Sequence, residues 1–159
     1  MKRLLLLVAI IFLVSCGPDT KLPPTPSSSE EAIITRVVDG DTVTILLKGK
    51  MEYVRIVGID APEKDDCFSV QASEKMRNLV EGKRALLESK IDENRDQYDR
   101  LLRYLSVEEI DVGGQMLYEG YARNYPWFPH PRSEMYKELE RQSKESSLSS
   151  VQRNFGMNQ

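Results

Sequence analysis

Between residues 33 and 59 the chain is a series of short apolar, β-rich runs separated by polar turn residues. Residues 33–38 and 42–47 are rich in Val, Ile and Thr and flank Asp39-Gly40-Asp41, and Lys48-Gly49-Lys50 turns the chain again into residues 52–59. Asp-Gly between such runs is a hairpin signal, so this stretch predicts a three-stranded meander. The pattern then changes. Val70, Ala72, Met76, Leu79 and Val80 recur at helical spacing, with Gly82 beyond them as a stop, which predicts a helix over 69–80. Strands are predicted over 84–91 and 101–105, on either side of the polar run DENRDQYDR at 92–100. A short helix over 115–122 and a Pro-rich loop over 126–131 follow. Ser133 is then placed to cap a last helix to about 149, with Met135, Tyr136 and Leu139 on one face. Five short strands and two to three helices predict an α+β domain. A five-stranded OB-type β-barrel is the natural form, because closure removes exposed edges.

The first 30 residues have a different character. Lys2 and Arg3 precede eleven apolar residues, 4–14, which are too few for a bilayer core that needs about 20 helical residues. An export signal is the better reading. The stretch Leu13-Val14-Ser15-Cys16-Gly17 resembles the lipobox of bacterial lipoproteins, in which the cysteine becomes the lipidated first residue of the mature chain. Residues 17–30 are rich in Pro, Ser and Thr with little to bury, as a tether would be. The expected organisation is a lipoprotein signal peptide at 1–15, a lipidated N-terminus and flexible tether at 16–30, and one domain at 31–159. The resemblance implies an exported domain held at a bacterial membrane through Cys16, outside the cytoplasm.

Charge and cysteine usage narrow the chemistry. The net charge of −3 offers no global basic footprint for a polyanion, so any phosphate recognition must be local. With Cys16 lipidated, Cys67 has no intramolecular partner, which excludes a disulfide-stapled domain. Cys67 is expected to be a small, partly buried side chain. The single histidine, His130, sits between two prolines and is expected to be an exposed loop residue.

Asp41 and Asp60 each lie just past a β-rich run and supply hard oxygen ligands, which suit Ca2+ or Mg2+. Glu63 follows Asp60 across a proline-stiffened turn, within reach of a water whose proton it could take. Arg55 and Arg100 are candidates to pair with phosphate oxygens. Distance constrains this arrangement. An extended strand would put the Arg55 and Asp60 backbones roughly 16 Å apart, so the strand must bend, and Gly58 is the place for it. Without curvature Arg55 is a surface charge and residues 60–63 are merely a turn.

In order and spacing, VVDGDTVTI, VRIVGIDAPE, QASEKMRNLVEGK and DQYDRLLRYL resemble the thermonuclease family typified by staphylococcal nuclease, from about residue 33 to 122 with a weaker tail to about 149. The resemblance implies an OB-type barrel and Ca2+-dependent hydrolysis of DNA and RNA to 3′-phosphate ends. By motif it makes Asp41 and Asp60 the Ca2+ carboxylates, Ala61 a ligand through its carbonyl, Glu63 the general base, and Arg55 and Arg100 the phosphate-binding pair. Tyr98, Tyr121, Tyr125 and Trp127 are candidates for stacking on bases. A monomer acting on DNA and RNA is expected, and a non-catalytic nucleic-acid or protein binding module on the same barrel is the alternative. One departure stands out: Asp99 occupies a position where the family has glycine. Aspartate can adopt positive φ at modest cost. Its carboxylate is expected to pair with the Arg100 guanidinium and repel phosphate.

Overall fold

A computed structural model describes residues 29–89 and 94–156. The signal peptide, Cys16 and most of the tether therefore lie outside the described residues, as does the expected end of the strand over 84–91. In chain order the elements are β1 (Ser29–Val37), β2 (Thr42–Leu47), β3 (Lys50–Ile56), β4 (Ile59–Asp60), α1 (Ser69–Val80), β5 (Arg84–Ser89), β6 (Leu101–Val107), β7 (Ile110–Asp111), α2 (Val112–Tyr118), β8 (Arg123–Asn124) and α3 (Ser133–Gly156).

β1, β2 and β3 form the expected antiparallel meander, with Ile34 opposite Ile45 and Val43 opposite Val54. β5 returns along the other edge of β1, and β6 pairs antiparallel with β5. β6 also pairs in parallel with β3, Val54 opposite Leu101 and Ile56 opposite Arg103. That last ladder closes five strands into an OB-type barrel and leaves no open edge between β3 and β6. A bulge in β1 between Ile34 and Arg36 adds local bend where the meander curves.

Inward positions are filled by Ile34, Val43, Ile45, Val54, Leu87 and Leu105, all fully buried. Removing a side chain of that kind from water contributes about 1.5–3 kcal/mol each. The helices complete the core from outside the barrel, with Ala72, Met76 and Val80 of α1, Met116 and Leu117 of α2 and Tyr136 of α3.

Several boundaries differ from the sequence reading. β1 begins at Ser29, two residues before the expected domain start. The strand expected over 52–59 stops at Ile56, because the chain turns through Gly58 at φ 82°. α2 begins at Val112 instead of 115: Asp111 caps it by accepting the Gly114 N–H, which carries the helix through two glycines of low helix propensity. α3 runs on to Gly156.

Two residue expectations are corrected. His130 is buried, its Nδ1 2.8 Å from the Tyr104 hydroxyl and its ring edge-on to Tyr136. The Pro-rich loop tucks beneath the β3–β4 turn because Gly58 has no Cβ; one built there would lie 2.5 Å from the imidazole. Cys67 is exposed, on the loop that leads into α1, where Phe68 takes a left-handed φ of 74°.

Candidate active site

The two acidic clusters of the sequence meet at one end of the barrel. Asp39 Oδ1 accepts the N–H groups of Asp41 (3.0 Å) and Thr42 (2.7 Å), which tightens the β1–β2 turn. Gly40 in that turn lies against Ala61, so close that a Cβ would come within 2.5 Å of the alanine methyl. The close approach lets Asp41 Oδ2 accept the Ala61 N–H at 2.9 Å, while Oδ1 accepts the Thr42 hydroxyl at 3.0 Å. Asp41 is thereby buried, and burial pushes its carboxyl up to about 6 although Arg55 pulls the other way.

Arg55 sits opposite Thr42 in the β2–β3 ladder. Its Nη2 is 3.1 Å from Asp41 Oδ2 and 3.6 Å from Asp60 Oδ1, and its Nη1 donates to the Ile56 and Ile59 carbonyls at 2.7 and 2.8 Å. One guanidinium therefore spans the Gly58 turn and brings the two carboxylates together, as the bend argument required. Asp60 is half exposed and Asp41 is not. Both present oxygen to the same point. Two carboxylates are hard oxygen donors, which suit Ca2+ or Mg2+. Among the described residues no cluster of three acidic, His or Cys side chains could hold a metal alone, so such an ion would need ligands from water and phosphate as well.

Arg100 ends the 94–100 loop. Asp96, which sequence reasoning passed over, organises it: Oδ1 accepts the N–H groups of Tyr98 and Arg100, and Oδ2 accepts Arg100 Nε at 2.7 Å. Burial opposes ionisation there, but these bonds hold the Asp96 carboxyl below its ordinary value. Arg100 Nη1 lies 3.3 Å from the Thr42 hydroxyl, which connects it to Asp41. Asp99 does adopt positive φ, 64°, but its exposed carboxylate faces Arg95 Nε at 3.5 Å, and the expected pairing with Arg100 is replaced by the Asp96 contact. The left-handed backbone turns the Asp99 side chain outward.

Beside these groups lies a cleft of about 520 Å3, lined among others by Arg55, Gly58, Tyr98, Arg100, Tyr125 and Phe128. Tyr125 is brought there by β8, its N–H bonded to the Gly58 carbonyl at 3.0 Å. Phe128, 6.0 Å from the Tyr125 ring, was not singled out from sequence. Tyr121 stacks instead on Phe68 at 5.5 Å, and Trp127 projects into solvent at 77% exposure; neither lines the cleft. Glu63 is exposed on the loop after Ala61-Pro62, in a turn closed by Asp66 N–H to the Glu63 carbonyl at 2.8 Å. Among the described residues no ion pair or hydrogen bond engages its carboxylate.

The fold and site together are those of a closed OB-type barrel with two guanidiniums and two carboxylates gathered at one mouth. The family model described as staphylococcal nuclease homologue matches residues 53–150, and the chain belongs to that family. It is 32% identical over 127 residues to the SPbeta prophage-derived endonuclease YokF of Bacillus subtilis, covering 75% of this chain and 43% of that protein. Endonuclease YncB of the same organism is 32% identical over 124 residues, 73% and 59% of the two chains. Thermonuclease of Staphylococcus hyicus is 26% identical over 125 residues, 75% and 73%. The chain thus spans about half the length of the two Bacillus relatives.

Proposed function

We propose that this chain is a Ca2+-dependent nuclease that hydrolyses phosphodiester bonds of DNA and RNA and leaves 3′-phosphate ends. The observation that carries the reading is the convergence of Asp41 and Asp60 on Arg55, at the mouth of an arginine-lined cleft. Family membership and the endonuclease and thermonuclease names of the relatives support it.

In this reading Asp41, Asp60 and the Ala61 carbonyl would hold Ca2+, which would supply positive charge to the phosphate. Arg55 and Arg100 pair with the remaining oxygens and stay charged as negative charge builds on phosphorus. Glu63 takes a proton from the attacking water, whose oxygen forms the new P–O bond. The P–O5′ bond breaks, the departing 5′ oxygen is protonated, and the phosphate stays on the 3′ side. Tyr98, Tyr125 and Phe128 offer ring faces to the bases beside the scissile bond. The exported, lipid-anchored location is part of the proposal and rests on residues 1–30 alone.

Incubating the protein with single-stranded DNA and with RNA, in Ca2+ or in excess chelator, tests the reading. Cleavage in Ca2+ only, with 3′-phosphate ends on the products, is expected. Undiminished cleavage in chelator overturns the metal assignment, and binding without cleavage in Ca2+ makes the chain a binding module. Glu63→Gln should lower kcat by about 100-fold or more with little change in Ca2+ requirement.

A further inference from the structure

We infer that Arg95 is a positioning residue: with Glu52 and Asp99 it forms a strut that fixes the turn carrying Arg100 against β3. The inference rests on the nuclease reading of Arg100. Arg95 grips Glu52 of β3 with two prongs, Nη1 to Oε2 at 2.9 Å and Nη2 to Oε1 at 3.1 Å. Its other contacts go forward in the chain, Nη1 to the Asp99 carbonyl at 2.6 Å and Nε to Asp99 Oδ1 at 3.5 Å. Backbone pairing of Arg95 with Leu101 closes the same loop from behind.

The residue held in this way is the one at positive φ, immediately before Arg100. A left-handed residue sets the direction in which the chain leaves the turn, so a small rotation at Asp99 displaces the Arg100 guanidinium. Asp96 fixes Arg100 from within the loop, but nothing in that contact refers the loop to the barrel. Arg100 is itself tied to the barrel by its Nη1 at the Thr42 hydroxyl and by Leu101 lying opposite Val54 of β3. Arg95 adds a tie from the preceding turn to the same strand, because Glu52 and Arg55 both belong to β3. Arg95 thus braces the turn whose exit direction Asp99 sets, and with it the Arg100 side chain. It also gives the aspartate at position 99 a purpose that glycine could not serve: a carboxylate as a second grip for the strut.

Arg95 lines the cleft too, so the competing role is that of a third phosphate ligand. Its bonding distinguishes it from the other two: Arg95 Nη1, Nη2 and Nε all face acceptors within the protein, whereas among the described residues no hydrogen bond engages Arg55 Nε or Arg100 Nη2. Bidentate geometry also means lysine is no substitute.

The test is a double-mutant cycle between Arg95→Ala and Arg100→Ala, read in kcat and KM for cleavage and in affinity for an oligodeoxythymidylate over a range of salt. Arg95→Ala alone is expected to lower kcat about tenfold with KM changed less than twofold. In the Arg100→Ala background it should cost less than twofold more, and the slope of log affinity against log salt should match wild type. A tenfold loss that persists without Arg100 overturns the inference. So does a salt slope reduced by about one, the signature of a lost phosphate contact. A wild-type chain that binds the oligonucleotide but never cleaves it overturns the nuclease reading instead. The strut is then decided by the affinity cycle, in which additive losses from Arg95→Ala and Arg100→Ala count against it.

Discussion

At Asp41 the fold works against its own stability. Burial raises the carboxyl from 3.8 to about 6, so between those values the folded chain holds a proton that the unfolded chain has released. More protons bound in the folded state means that stability falls as pH rises through this window, and above about pH 6 the charged carboxylate is retained at a net cost. Asp41→Asn, in excess chelator, is therefore expected to raise Tm at pH 7.5, with the gain vanishing near pH 4. Thermal melts at the two pH values check this; a lower Tm at pH 7.5 contradicts it. Asp41, Arg55 and Asp60 were legible in the sequence because each sits at the end of a recognisable strand. Asp96, Arg95 and Phe128 were not. Arg95 acquires its role from Glu52, 43 residues away, and no local pattern encodes a pair across that separation.

Among the elements, the β3–β4 turn is where sequence and site depend most directly on one glycine. Gly58 has φ 82°, and its Cα hydrogen faces the His130 imidazole and the Tyr136 ring. Gly58→Ala combines an unfavourable backbone with a clash at 2.5 Å, so a loss of about 2–3 kcal/mol is expected, with reduced activity as Arg55 and Asp60 separate. In a domain of this size that is a fall in Tm on the order of 10 °C. Gly82→Ala is the control: φ is 75° there, but nothing lies within 4 Å of the missing Cβ. It should cost about 1 kcal/mol and leave activity intact. Equal losses at both positions would show that crowding against His130 has no weight. The bend itself could be placed from Gly58 in the sequence, whereas the burial of His130 could not. Two flanking prolines mark a loop but do not say what the loop packs against.

For the whole molecule, the proposed anchor makes a prediction independent of catalysis. Mature protein should begin with an acylated Cys16, and Cys16→Ser should leave a chain that is unprocessed or released from the membrane. Mass spectrometry of the membrane fraction decides it, and an unmodified Cys16 found there refutes the anchor. Cleavage within 17–28 should release a fully active domain, because the described barrel starts at Ser29. The β-rich runs and turns over 33–59, the helical spacing over 69–80 and the strand-end acids determined the class of fold and most of the candidate site. These are local properties, set by side-chain period and turn chemistry. Barrel closure through the parallel β3–β6 ladder was decided only in three dimensions, as were the seating of Gly40 on Ala61 and the turning of Asp99 toward Arg95 instead of Arg100. Each depends on which distant surfaces come into contact, and burial and pairing across the barrel, not local pattern, settle that.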